Sequence, residues 1–173
     1  MYPLLLEFPG SPEQGENVVS YIIKNIGETV VKNGEYNGFE IKEALQIFGK
    51  QAFGEDGINT SFFRSKNIVE DLILRIEPKL KPAEYGEDTV IYPFGVVDNI
   101  ITDGEITADS LKLNGRAGLF EEKSFMILFS KSNDFLLTDF DSTMRIKEGF
   151  AVFVPAKTRV EINGEAEIIL IHL

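Results

Sequence analysis

Side chains that could do chemistry are few in this sequence and lie near its end. The only histidine, His172, follows an apolar run at residues 167–171. Lys157 and Arg159 come just after Pro155, and cations of this kind bind phosphate or carboxylate groups. We take Lys157, Arg159 and His172 as candidate ligand-binding residues. The simpler alternative is two solvated surface cations and a histidine at the end of a strand.

Carboxylates form a second set of candidates. Asp139 and Asp141 would share one face of a strand and could together bind Ca²⁺ or Mg²⁺. The acidic residues at 121–122 and at 161–167 could bind such a cation as well. The simpler interpretation is a turn or a solvated surface, because aspartate is common in turns for backbone reasons.

Several kinds of site are excluded by composition. With no cysteine, the chain has no thiolate nucleophile, disulfide or iron–sulfur ligand. With one histidine, it lacks the imidazoles that usually hold a transition metal. The glycines at 34 and 38 lack the lysine and hydroxyl residue that complete a phosphate loop. We therefore assign no catalytic residue and expect neither a metal nor another cofactor.

The charge balance limits the partners. The chain has 28 acidic and 17 basic residues, a net charge of −11. Nucleic acid is an unfavourable partner for such a chain, because its phosphates require clustered cations. The apolar runs are too short to span a bilayer, and residues 1–7 lack the basic start of a signal peptide. We expect a cytoplasmic protein with no membrane contact.

The first half of the sequence has the apolar spacing of helices. Apolar residues three and four apart at 18–31 predict a helix that starts at Ser11. A second helix is expected over residues 40–53. A third is expected over residues 65–77, with Pro78 ending it.

After residue 84 the pattern changes to short runs typical of β-strands. These runs are residues 89–92, 105–113, 124–130, 135–140, 150–154, 159–162 and 167–172. Hairpin turns are predicted where Asn or Asp precedes Gly104, Gly115 and Gly164. We expect an α+β fold with two parts: a helical region over residues 1–84 and an antiparallel sandwich or barrel over 85–173. Strands that alternate apolar and polar residues should bury Phe125, Ile127, Phe129, Phe153 and Ile169.

Residues 89–173 carry a family resemblance. Gly149 and Pro155, with five residues between them, have the form of the second cupin motif, and the histidine that usually follows is replaced by Arg159 and its neighbours. Together with residues 92–97, 111–115, 122–128 and 162–170, this stretch resembles the C-terminal cupin domain of type I phosphomannose isomerases. The resemblance implies a jelly roll, a double-stranded β-helix of antiparallel strands. In that family the zinc ligands lie in a separate N-terminal cupin, which has no counterpart here.

Three functions remain open. The first is a non-catalytic cupin-like module that binds a sugar or sugar phosphate or assists assembly, beside a separately encoded catalytic chain. The second is a divergent sugar-phosphate isomerase that uses carboxylates, Lys157, Arg159 and His172. The third is a structural protein that forms a homodimer through an apolar sheet face.

Overall fold

The computed structural model describes residues 2–8, 10–26, 30–31, 48–81, 89–140 and 142–173. Its helices are α1 (Val18–Ile26), α2 (Lys50–Gly57) and α3 (Lys66–Ile76), with 3-10 turns at Ser61–Phe63 and Glu77–Lys79. Its strands are β1 (Leu4–Glu7), β2 (Val30–Val31), β3 (Val90–Tyr92), β4 (Gly95–Thr102), β5 (Thr107–Leu119), β6 (Met126–Ser132), β7 (Phe135–Thr138), β8 (Thr143–Ile146), β9 (Phe150–Val154) and β10 (Val160–His172). No helix within these ranges is long and apolar enough to cross a membrane.

The strands form one continuous antiparallel sheet that folds over itself. Its main order is β2-β1-β9-β6-β10-β5-β4-β3, and β7 joins β10 to β8. Strand β10 pairs with β5 along its full length. On its other edge β10 pairs first with β7 and then with β6. This change of partner divides the sheet into two layers that face each other, which is the sandwich predicted from the strand spacing.

Two glycines lie at the point where the layers diverge. Gly115 of β5 and Gly164 of β10 are directly opposite each other, with φ values of 128° and 144°. Glycine adopts such angles without steric cost, so both strands can bend here and continue. The prediction of hairpin turns at these two glycines is therefore wrong. The predicted turn at Gly104 is confirmed, since it connects β4 to β5.

The strands at the centre of the sheet are buried on both faces. Met126, Leu128 and Val152 point into the space between the two layers, which is filled with aliphatic side chains and the Phe135 ring. The alternate residues Ile127 and Phe129 pack against the helices. The five side chains predicted to be buried are buried, but the predicted alternation of apolar and polar residues is wrong here. A strand covered on both faces needs apolar residues at every position.

Helix α2 attaches the helical layer to the sheet. The Phe53 ring contacts the rings of Phe125 and Phe153, with centroids 5.6 and 5.1 Å away. The backbone contributes as well: Phe125 N–H donates to the carbonyl of Phe53 at 3.2 Å, and Asp56 N–H donates to that of Lys123 at 3.0 Å. Aromatic contact and backbone pairing together fix this helix against the β5–β6 loop.

The predicted helices differ in their agreement with the structure. Helix α3 is confirmed, with Ser65 before its first residue. Helix α1 begins at Val18 rather than Ser11, because the Asn17 side chain accepts the Val19 N–H at 2.8 Å and caps the helix there. The predicted helix over 40–53 lies largely outside the described residues, and α2 covers its end.

The N-terminal region also contributes strands to the sheet. Residues 30–31, predicted as helical, form β2, and β2 pairs with β1. Strand β1 in turn pairs with β9. The first half is therefore less helical than predicted, and the structure is mostly antiparallel sheet. The predicted domain boundary at residue 84 lies outside the described residues and stays a prediction.

A glycine substitution tests the close approach of α2 to the β5–β6 loop. Gly54 has φ 78°, and a Cβ there would lie 2.3 Å from the Lys123 carbonyl oxygen. We expect Gly54→Ala to lower the free energy of unfolding by more than the roughly 1–3 kcal/mol of left-handed strain alone. Gly15→Ala is the matched control, because Gly15 has φ 81° and open space around it. Urea unfolding measures both, and equal losses would contradict this packing.

Candidate functional site

A groove of about 610 Å³ opens at one end of the sandwich. Its walls come from residues just before β1, the end of β5, the end of β7 and the turn that joins β9 to β10. Six of the side chains that line it are aromatic or charged: Tyr2, Asp139, Phe140, Lys157, Arg159 and Glu161. Lys157 and Arg159 of the predicted site are thus brought together. We refer to this feature as the end groove.

The turn that carries the two cations is held from both sides by the backbone. Ala156 N–H donates to the carbonyl of Ala52 on α2 at 2.7 Å. Lys157 N–H donates to the carbonyl of Glu121 in the β5–β6 loop at 2.8 Å. Lys157 has φ 61°, a left-handed conformation that is uncommon for a residue with a side chain. Such conformations persist where the surroundings determine them, and they concentrate at functional sites.

The two cations of the end groove have no carboxylate partner among the described residues. The Arg159 guanidinium lies over the Phe120 ring, 5.6 Å from its centroid. By contrast, Glu161 forms an ion pair with Arg116 at 3.3 Å, and an oxygen of Asp139 accepts the Ser142 N–H at 2.8 Å. The acids of the groove therefore have partners, while Lys157 and Arg159 remain available to an anion.

Two aromatic rings beside these cations are open to solvent. Phe140 is 98% exposed and Tyr2 is 52% exposed. Contiguous exposed apolar surface commonly marks a binding site, and these two rings line the same groove. Analysis of the sequence missed both residues. Phe140 could have been found as an aromatic residue between two aspartates. Tyr2 is distant in sequence from the other groove residues, and nothing in its local sequence indicates a site.

His172 lies apart from the end groove. Its Nδ1 atom is 3.5 Å from a carboxylate oxygen of Glu121, and about a quarter of each side chain is exposed. The two sites are linked only indirectly, since the Glu121 carbonyl accepts the Lys157 N–H. His172 therefore lies beside the loop next to the cationic turn and does not line the groove.

The other acidic candidates are dispersed. Glu167 forms an ion pair with Lys131 at 3.7 Å, away from the pair made by Glu161. Asp141 lies outside the described residues, so its predicted pairing with Asp139 is untested. Within the described ranges, no three histidine or acidic side chains form a cluster that could hold a metal ion.

A second groove of about 660 Å³ lies between α1 and α3. Three cations line it: Lys24 and Lys66 form ion pairs with Glu16 and Glu70, each at 3.9 Å, while Arg64 has no carboxylate partner among the described residues. The two pairs weaken the attraction of this groove for a small anion, since two of its three cations already have an acidic partner. The end groove is smaller but combines unpaired cations with exposed rings, so we regard it as the better candidate.

Comparisons with known proteins give structural neighbours only. No family model and no curated protein matches the chain. The mannose 6-phosphate isomerase from Bacillus subtilis aligns with a TM-score of 0.47 and 22% identity, over 52% of this chain and 29% of that one. KdgF from Halomonas sp. aligns at 0.45 and 15% identity, over 50% and 86%. A cupin-2 domain containing protein from Shewanella frigidimarina aligns at 0.40 and 12% identity, over 43% and 76%.

The Glu121 side chain should stabilise the loop under the cationic turn. Its carboxylate accepts the Lys123 N–H at 3.1 Å and lies beside His172. We expect Glu121→Ala to lower the free energy of unfolding by about 0.5–1.5 kcal/mol. The neighbouring, exposed Glu122 gives the control variant Glu122→Ala, which should unfold like the original chain. Urea denaturation compares them, and equal stability of the two variants would contradict this role.

Proposed function

We propose that this chain is a cupin-like binding module, related to the C-terminal domain of type I phosphomannose isomerases, that binds a sugar phosphate without converting it. One observation carries the proposal: Lys157 and Arg159 line the end groove without a carboxylate partner among the described residues, next to the exposed rings of Tyr2 and Phe140. In a chain with net charge −11, two such cations in one groove favour a small anion.

Each part of a sugar phosphate has a suitable partner in the groove. The phosphate oxygens would accept charge-assisted hydrogen bonds from Lys157 and Arg159. The apolar C–H face of the sugar would lie on Phe140, because aromatic faces carry negative charge that attracts C–H groups. The hydroxyl groups would donate to Asp139 and Glu161. The combination of apolar faces with a few polar groups is typical of small-molecule sites.

Two features support binding rather than turnover. Buried apolar side chains fill the space between the layers, which favours a ligand site at the end of the sandwich over one in its interior. The groove is at the surface, and Phe140 on its rim is almost fully exposed. Enzymes that move protons usually close their sites against water, because charges interact more strongly there.

The sequence resemblance indicates the class of ligand, a sugar phosphate. It also indicates that the catalytic step would take place outside this chain. Residues 89–173 resemble a C-terminal domain whose family holds its zinc in a different domain. A separately encoded catalytic chain is therefore part of the proposal, with the present chain contributing a sugar-phosphate site or an assembly surface to it.

Isothermal titration calorimetry tests the proposed ligand. Hexose 6-phosphate, the free hexose and inorganic phosphate are titrated separately into the full chain. We expect the hexose phosphate to bind best, and Lys157→Ala and Arg159→Ala each to weaken it by about ten-fold or more, since hydrogen bonds to charged groups contribute roughly 1.5–3 kcal/mol. Phe140→Ala should weaken the hexose phosphate and leave inorganic phosphate unchanged.

Lys147→Ala is the matched control for these variants. Lys147 is an exposed cation outside the end groove, so its loss changes net charge by the same amount. The proposal fails if Lys147→Ala weakens binding as much as Lys157→Ala. It also fails if none of the three compounds binds the original chain.

The alternative is a divergent sugar-phosphate isomerase. One observation favours it: Asp139 lines the same groove as Lys157, so a carboxylate and a cation face one space. An isomerase of this type would exchange a carbon-bound hydrogen of its substrate with solvent. Incubation of hexose 6-phosphate with the chain in heavy water, followed by mass spectrometry, should show no deuterium uptake under our proposal. Uptake that Asp139→Asn abolishes would establish the enzyme instead.

A further inference from the structure

The outer strand of the sheet is apolar and exposed. Strand β3 lies at the end of the strand order and, within the described residues, pairs only with β4. Val90, Ile91 and Tyr92 are 46%, 74% and 43% exposed, so the described residues leave both faces of β3 largely uncovered. An edge strand of this kind presents backbone groups that can pair with a further strand.

We propose that β3 is a homodimer contact, in which two copies pair antiparallel about a two-fold axis at Ile91. Such an axis places Ile91 opposite its own copy and Val90 opposite Tyr92 of the other chain. The contact is self-complementary, as a symmetric dimer requires. Pairs of an aromatic and a β-branched residue across neighbouring strands are favourable, so the side chains fit this register.

Charge favours a second copy of this chain as the occupant. With a net charge of −11, two copies repel each other over most of their surface. Residues 89–94 contain no charged side chain, so β3 and its turn form an uncharged edge. Edge strands that avoid pairing commonly carry lysine or another charge, which β3 lacks, although its length of three residues and the following Pro93 confine any pairing to a short segment. This is a place where two copies of an acidic chain can meet with little repulsion.

The turn that follows β3 holds this edge strand in a fixed position. The Tyr92 and Phe94 rings are stacked, with centroids 4.9 Å apart and planes 8° apart. Phe94 also packs against the aliphatic side chains between the layers. The Tyr92 ring is therefore held in place before any partner arrives, which lowers the entropy lost on pairing. Because β3 is only three residues long, the dimer should be weak and depend on concentration.

A single introduced cysteine tests the two-fold axis. The chain has no cysteine, so Ile91→Cys creates its sole thiol. Residues opposite each other in an antiparallel pair have Cα atoms about 4.5–5.5 Å apart, within the range of a disulfide. We expect Ile91→Cys to form a disulfide-linked dimer rapidly under mild oxidation. Leu74→Cys, at an equally exposed apolar position on α3, should do so slowly.

Sedimentation velocity over a concentration series gives the second measurement. The original chain should show a dimer fraction that rises with concentration, and Ile91→Lys should lower this fraction to near zero. Leu74→Lys, with the same change of charge, should leave it unchanged. The proposal is overturned if the original chain is a monomer at every concentration, or if the two cysteine variants cross-link at the same rate. Dimerisation is independent of sugar-phosphate binding, so either proposal can fail alone.

Discussion

The site depends on one short turn that the backbone holds from two directions. Residues 155–159 connect β9 to β10, and their N–H groups donate to α2 on one side and to the β5–β6 loop on the other. Both partners are themselves fixed, because Phe53 of α2 contacts Phe125 and Phe153. The aromatic contact between helix and sheet therefore determines where Lys157 and Arg159 lie. Without it, the cations would be ordinary surface side chains on a loop.

The same arrangement explains why the proposed ligand site lies outside the interior of the sandwich. Apolar side chains fill the space between the layers, and the helices cover the other face of the central strands. Among the described residues, the exposed charged groups with ligand-binding potential lie at the end of the sandwich. The end groove holds the cations and exposed rings, while the β3 edge is uncharged. The proposed ligand site and the proposed dimer contact thus lie on separate surfaces.

Much of the fold could be predicted from local patterns, and the errors have physical causes. The spacing of apolar residues and the turn residues predicted α3 and most strands, because both patterns depend on residues that are neighbours in sequence. The prediction ended β5 before Gly115 and divided β10 at Gly164, since glycine occurs in bends of a strand as well as in turns. In the site, Lys157 and Arg159 could be predicted because they follow Pro155 of the Gly149–Pro155 motif. The sequence did not show that His172 lies outside the groove or that Tyr2 lines it, because these positions depend on contacts between distant segments.

The most direct test of the account is an amide NMR titration of the full chain with hexose 6-phosphate. The account predicts that the largest shift changes fall on residues 138–140 and 157–161, the segments that line the end groove. Small changes are expected at Ala52 and Glu121, whose carbonyls hold the turn. Shift changes centred on the groove between α1 and α3, or no changes at saturating ligand, would contradict it.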